Sequence, residues 1–245
     1  MLLLALSCAL RGLEGTRLAP EDPVLLGWRL VPGQELAYAF TTTHTLDERS
    51  VTREEHWSYL VRDVDAEGIA YLEGRLTAFG VQGVEGAEEA RAAEEARLAE
   101  APVALSLAMD GRLVDLHGQS WGDQLVHRLL AVKLSETAVT VGDVWEDPGV
   151  VRPLVDVLPV GVDVALEATQ TFEGLYARGG RVQARLRTRA ALSADRAELP
   201  GIWVQGDAWW DLQAGQLSSR TLELSLLGQD GGDPGVLVLE ARQLR

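Results

Sequence analysis

The sequence predicts a mainly β (α+β) fold, an antiparallel meander sheet with helix in the minority, and three observations carry that prediction. From Leu25 onward apolar and polar residues alternate with period two over most of the chain. The alternating runs are joined by short turns bearing Gly and Asp. Only two stretches have helical spacing or composition. Successive strands with such short connections pair antiparallel, because parallel neighbours need a crossover of about a dozen residues or more. At 245 residues the chain is long enough to bury a core, and it divides into a leader and tether at 1–22 and one β-rich domain at 23–245, with a charged helical insertion at 84–101.

Gln34–Leu46 and Val51–Val64 are rich in β-branched and aromatic residues, with Asp47–Ser50 as the turn between them. Ala66-Glu67-Gly68 turns the chain into Ile69–Phe79. Val103–Met109 turns at Asp110-Gly111 into Leu113–His117, placing Leu107 opposite Val114 and Leu105 opposite Leu116. In Val162–Leu192 the apolar residues before the turn are Val162, Val164, Leu166, Ala168 and Phe172, and after it Val182, Ala184, Leu186, Ala190 and Leu192. A two-residue turn at Gly179-Gly180 pairs even with odd positions and mixes the faces. The pattern therefore predicts a three-residue loop, Arg178-Gly179-Gly180, with Phe172 opposite Leu186 and Glu173 opposite Arg185. Arg181, Arg185, Arg187 and Arg189 then form a solvated row held by cross-strand acids, an anion-binding strip being the alternative. Ile202–Gln213 turns at Ala214-Gly215 into Leu217–Leu227. Each half thus holds a long hairpin followed by one turning at x-Gly-x-Leu, a loose internal parallel.

Helix is expected at Ser120–Leu134, where Trp121, Leu125, Leu129 and Val132 lie along one side and Ser120 with Asp123 makes a capped, acidic start. Glu85–Glu100 holds six Glu, two Arg and many Ala. That composition favours helix but supplies almost nothing large and apolar to bury, so an exposed helix is expected.

The formal charge of -15 argues against nucleic acid and anionic membrane surfaces, both of which need Lys and Arg to displace counterions. The only cysteine, Cys8, allows no intramolecular disulfide. It sits in Met1–Leu10, an apolar run too short to span a bilayer that reads as the h-region of a signal peptide. Two outcomes follow: cleavage after the small residues of Ser7-Cys8-Ala9, or a loose lipobox, Leu4–Cys8, with Cys8 lipidated. Either exports the protein to the cell envelope, in the periplasm or anchored to the outer membrane, with Arg11–Pro23 as tether. The alternative is an apolar N-terminal strand or helix of a cytosolic protein.

Gly118-Gln119-Ser120-Trp121-Gly122 matches the G-x-S-x-G nucleophile elbow. The histidine that should follow it is present only as His127, two turns along the same expected helix and out of reach, and the flanking hairpins are not the parallel sheet such an elbow needs. Ser120 therefore reads as a helix cap, and no enzyme activity and no catalytic residue are expected. Four histidines without ligand spacing predict no metal. Asp230-Gly231-Gly232-Asp233 lacks the ordered oxygens of a calcium loop, and no Gly-rich phosphate cradle is present, so no cofactor is expected. Trp203 and Trp209 share a strand face with Gln205, Asp207 and Asp211, while Trp210 faces the other way with Val204, Ala208 and Leu212. Aromatics beside polar groups suit an apolar-ligand wall as well as a core floor. With Trp121 on the helix, Trp203 and Trp209 are the candidate ligand contacts on an inner face.

Val139-Thr140-Val141-Gly142-Asp143-Val144-Trp145-Glu146, together with the opening Trp28–Tyr38 and the closing Trp210-Asp211-Leu212, resembles exported bacterial β-meander proteins of unknown function. On the residues alone, Val139–Trp145 is the start of a strand around a Gly-Asp turn. The resemblance implies the curved half-barrel of lipoprotein carriers and lipid-binding lipoproteins, in which an open sheet wraps a helix on its concave face and acyl chains lie between them. The expected function is non-catalytic binding of an apolar or amphiphilic, lipid-like ligand or of an envelope protein partner. The alternatives are a structural envelope component without a ligand and a hydrolase using Ser120.

Overall fold

Twelve strands form one antiparallel sheet that curves but does not close, in a computed structural model that describes residues 15–19, 22–46, 49–83, 88–100, 102–118, 121–147, 164–194, 201–227 and 235–244. Beyond the edge strand β1 (Thr16–Leu18), the sheet is two five-stranded meanders. The first is β2 (Glu35–Leu46), β3 (Arg49–Val64), β4 (Ala70–Gln82), β5 (Val103–Leu107) and β6 (Leu113–His117). After a short β7 (Val144–Glu146) comes the second: β8 (Val164–Arg178), β9 (Arg181–Ala194), β10 (Gly201–Asp211), β11 (Gln216–Leu227) and β12 (Val236–Gln243). β12 lies antiparallel to β2, from Val236 opposite Thr45 to Gln243 opposite Tyr38, and makes the two meanders one sheet. The halves suggested by the repeated hairpins are thus the two meanders.

One outer edge is covered. β1 pairs with Leu175–Ala177 and β7 with Thr169–Thr171 of β8, and between them Phe172 N donates to Asp143 O at 3.0 Å. This occupies the row of backbone groups that an edge strand otherwise offers to another chain. The Gly-Asp turn expected at Val139–Trp145 is present: Asp143 Oδ2 accepts from Thr140 N at 2.7 Å, and β7 follows.

The long hairpin β8–β9 departs from expectation in an instructive way. Its turn is two residues, with Arg178 opposite Arg181 and positive φ at both Gly179 (58°) and Gly180 (76°), as such turns require. The mixing of faces that this turn implies is undone by a bulge. The register shifts between Phe172 and Gly174, so Glu173 is the extra residue, Gly174 and not Glu173 faces Arg185, and Phe172 still meets Leu186. Glu173 instead pairs with Arg187 at 3.2 Å. A second bulge, between Ser106 and Leu107, puts Leu107 opposite Leu113 and not Val114, while Leu105 faces Leu116 as expected.

Among the described residues the two helices differ in how far they follow their composition. α1 (Glu88–Glu100) is exposed along most of its length and seats the buried Leu98 against the core, with Glu94 3.3 Å from Arg53 of β3. α2 (Trp121–His127) continues as a 3₁₀ turn, Arg128–Leu130, and the chain is then irregular where helix was expected to run to Leu134. Of the expected face Leu129 and Val132 are buried and Leu125 is half-buried, and Leu130 and Leu134, which were not on it, are buried as well. Likewise Trp28–Gln34, expected to open the sheet, is not strand, yet Leu26 and Trp28 are buried.

These irregular segments cover the inner face, which carries Leu36, Tyr38, Phe40, Trp57, Tyr59, Leu186, Val204 and Trp210. They are tied to the turn after β5: Trp28 N donates to Met109 O at 2.9 Å and Leu134 N to Asp110 O at 2.6 Å. Gly111, buried at φ 78°, lets Val132 lie against this turn, because any Cβ there would overlap the Val132 carbonyl oxygen. Gly111→Ala is therefore expected to destabilise the protein by about 2–4 kcal/mol through overlap and strained φ, measured as the shift in denaturant midpoint at unchanged slope. A change under about 0.5 kcal/mol would show that the cover does not press on the turn.

Candidate functional site

The inner face is not uniform from one meander to the other. Under β2 and β3 it is packed with aromatic rings. The His127 ring stands edge-on to Trp57 at 4.6 Å, Phe40 at 5.9 Å and Tyr59 at 6.0 Å, and Tyr59 Oη shares a 2.6 Å hydrogen bond with His127 Nδ1. Tyr38 Oη donates to Leu217 O at 2.8 Å. Burial pushes both phenols above their ordinary range, Tyr59 further by the nearby Glu55 and Tyr38, so both stay neutral. Glu55, also buried, accepts from Trp57 Nε1 at 2.8 Å and lies 2.5 Å from Arg53 Nε.

Under the second meander the inner face is polar at its centre. On β11, period two sets Arg220 in register with Leu222 and Leu224, facing inward. Its cross-strand neighbours are Ala208 on β10 and Ala241 on β12, so no side chain larger than a methyl stands beside it in its row. The guanidinium is 1 % exposed. Nη1 donates to Leu129 O at 3.2 Å and Ala131 O at 2.9 Å, carbonyls at the end of the 3₁₀ turn that have no helical donor. Asp147 Oδ2 stands 4.0 Å from Nη2, an ion-pair separation beyond hydrogen-bond reach. That carboxylate accepts from Gln170 Nε2 at 2.9 Å, and Gln170 Oε1 accepts from Thr188 Oγ1 at 3.1 Å. No residue of this chain of four is more than 2 % exposed.

Burial draws the Arg220 pKa below its ordinary range to about 10, with Asp147 opposing, so the group is charged at neutral pH. Nε and Nη2 nevertheless donate to no acceptor among the described residues, and neither does Trp28 Nε1, whose ring packs edge-on to Trp210 at 4.8 Å. Undonated N–H groups on a buried cation are costly, and such exceptions in a native interior call for a physical explanation.

The structure places the sequence candidates elsewhere. Trp203 and Trp209 lie on the outer face, where alternation along β10 sends them opposite to Val204 and Ala208; this corrects the inner-face placement. Trp203 is 42 % exposed. Trp209 is half-buried between the guanidinium groups of Arg178 (4.8 Å) and Arg185 (5.6 Å), with Tyr176 edge-on at 5.3 Å. The arginine row there is acid-paired, Arg181 with Asp211 at 2.6 Å and Arg185 with Asp207 at 2.9 Å. Trp121 begins α2, but its side chain lies outside the described residues, as do Cys8, Ser120 and Asp230–Asp233. Arg220 was the residue to find: a charged residue in step with Leu222 and Leu224 is visible in the sequence.

Among the described residues no three His, Cys, Asp or Glu gather as metal ligands, and no helix is long and apolar enough to cross a membrane. No family model matches the chain, and no curated protein matches it. Solved structures do. The hypothetical lipoprotein YmcC from Escherichia coli (K12) is similar at 15% identity and TM-score 0.31, covering 84% of this chain and 86% of that one. A DUF1329 family protein from Desulfovibrio piger is similar at 8% identity and TM-score 0.26, covering 85% and 84%. DynF from the dynemicin biosynthesis pathway of Micromonospora chersina is similar at 10% identity and TM-score 0.23, covering 94% and 88%. At such TM-scores no function passes from them to this chain.

Asp147 is the carboxylate that offsets the buried guanidinium, so Asp147→Asn is expected to cost about 1–3 kcal/mol of stability. A double-mutant cycle with Arg220→Met, read by denaturant unfolding, is expected to show coupling above about 0.5 kcal/mol. Strict additivity would mean that the 4.0 Å gap carries no interaction.

Proposed function

We propose that the protein is a non-catalytic binding protein of the bacterial cell envelope that holds an apolar or amphiphilic, lipid-like molecule between the inner face of the second meander and its irregular cover. The observation that carries this reading is the asymmetry of the interior. One half is closed by aromatic rings packed around His127, while the other keeps a charged guanidinium with undonated N–H groups beside apolar strands. A core built only for stability gains nothing from leaving those N–H groups undonated. A ligand that supplies acceptors to Arg220 and apolar surface to Leu222, Leu224 and Val204 resolves it. The cover suits exchange: its 3₁₀ end is tied to the sheet by two side-chain bonds to carbonyls and not by regular backbone pairing. Placement in the envelope rests on the apolar run Met1–Leu10.

The second reading is a structural envelope component without a ligand, and the solid packing of Trp57, Phe40 and Tyr59 on His127 favours it for the first meander. Native mass spectrometry of the protein purified from a bacterial host, followed by organic extraction, separates the two. A co-purifying acyl-chain species at near-stoichiometric level is expected. A bare polypeptide mass, unchanged after incubation with envelope phospholipids, would leave the structural reading.

A further inference from the structure

We infer that the open edge of Arg220 seats an oxyanion head, a carboxylate or a phosphate, carried on the apolar chain of the ligand; this rests on the binding reading above. The two undonated nitrogens are not arbitrary. Nε–H and the Nη2–H beside it point the same way and form the side of the guanidinium that grips two oxygens at once. This protein uses that edge repeatedly for carboxylates. Arg62 and Arg75 each hold one oxygen of Glu73 through Nε and Nη2 at 2.6–3.0 Å, while Arg97 grips both oxygens of Glu94 at 2.7 and 2.8 Å and Arg185 both of Asp207 at 2.9 and 3.1 Å. All four pairs are at least partly exposed, where such bonds add little. At Arg220, buried and therefore most in need of it, the same edge is open.

Among the described residues no group fills that edge. Asp147 stands 4.0 Å from Nη2 and is held there, its side chain by Gln170 and its own N–H by Ala168 O. Nη1 is spent on the cover carbonyls. The flanking Ala208 and Ala241 put nothing bulkier than a methyl beside the guanidinium in its row. One oxygen can accept from both N–H groups, as Glu73 Oε2 does at Arg62, but a neutral carbonyl or hydroxyl brings no opposite charge to the buried cation. An oxyanion accepts from both and adds that charge, which makes the pair the stronger one. Because the edge is shut off from solvent, the ligand reaches it as the 129–131 turn lifts, exchanging cover contacts for its own.

The test is calorimetric titration of the full chain with dodecanoate, dodecyl phosphate and dodecanol, which share a chain and differ in head. One or both anions are expected to bind about tenfold or more tighter than the alcohol, and the tighter of the two identifies the head. Arg220→Lys, which keeps the charge but not the two-pronged edge, is expected to lose most of that preference. Asp147→Asn, which removes a competing negative charge, is expected to tighten the anions and leave the alcohol unchanged. Equal affinity for all three compounds would overturn the oxyanion head while leaving a lipid-binding protein. Absence of binding by any of them would overturn the binding reading as well. Should Arg220→Lys fail to fold, the comparison of acid with alcohol on the unaltered protein decides alone.

Discussion

The contact on which the interior depends is the pair of bonds from Arg220 Nη1 to the carbonyls of Leu129 and Ala131. An open sheet of this width has an apolar face that must be kept from water, and here the cover is not a layer of regular helix. α2 is seven residues long, and the chain beyond the 3₁₀ turn is irregular. Irregular backbone under a sheet brings buried carbonyls that no ladder satisfies. A cation rooted in β11 supplies the donors, and Leu130, Val132 and Leu134 are thereby seated on the sheet. The cost is a buried charge, eased by Asp147 through a 4.0 Å gap and stabilised in place by the Gln170–Thr188 relay. Stability and binding draw on the same group: Nη1 closes the interior, and Nε with Nη2 leaves it receptive.

The sheet itself holds together by pairing that is long and mostly regular, with irregularities where they are needed. The β12–β2 ladder turns two meanders into one surface. The bulge at Glu173 returns Phe172 to the inner face after a tight turn, and it directs the Glu173 carboxylate to Arg187 on the outer face. A further bulge makes Ser218 the extra residue on β11, so that Leu217 and Arg220 are both buried, while plain alternation along β10 buries Trp210 against Trp28 and leaves Trp209 outside among arginines. Small departures from register thus decide which side chains reach the interior.

Much of this was legible in the sequence. Period two, with Gly- and Asp-bearing turns, reports the hairpins because a half-buried strand must alternate, and the pairing of Phe172 with Leu186 followed from keeping faces consistent. The turn that achieves it did not follow, since a bulge and a three-residue loop satisfy the same pattern. The end of α2 was hidden as well. Leu125, Leu129 and Val132 keep helix-like spacing, yet the carbonyls of Leu129 and Ala131 find a better donor in a strand about ninety residues away than in their own backbone. Site reasoning that followed aromatic residues led to Trp203 and Trp209 on the outer face. The stronger signal was polar: an arginine in step with leucines on one strand.

The most direct measurement is the Nε–Hε resonance of Arg220 by NMR, assigned with Arg220→Lys and followed without and with dodecanoate. The account predicts a signal protected from solvent exchange, at the position of an N–H without an acceptor in the free protein, that moves to the hydrogen-bonded region on addition of the acid. A signal already in the hydrogen-bonded region in the free protein, or one unmoved by the acid, would contradict it.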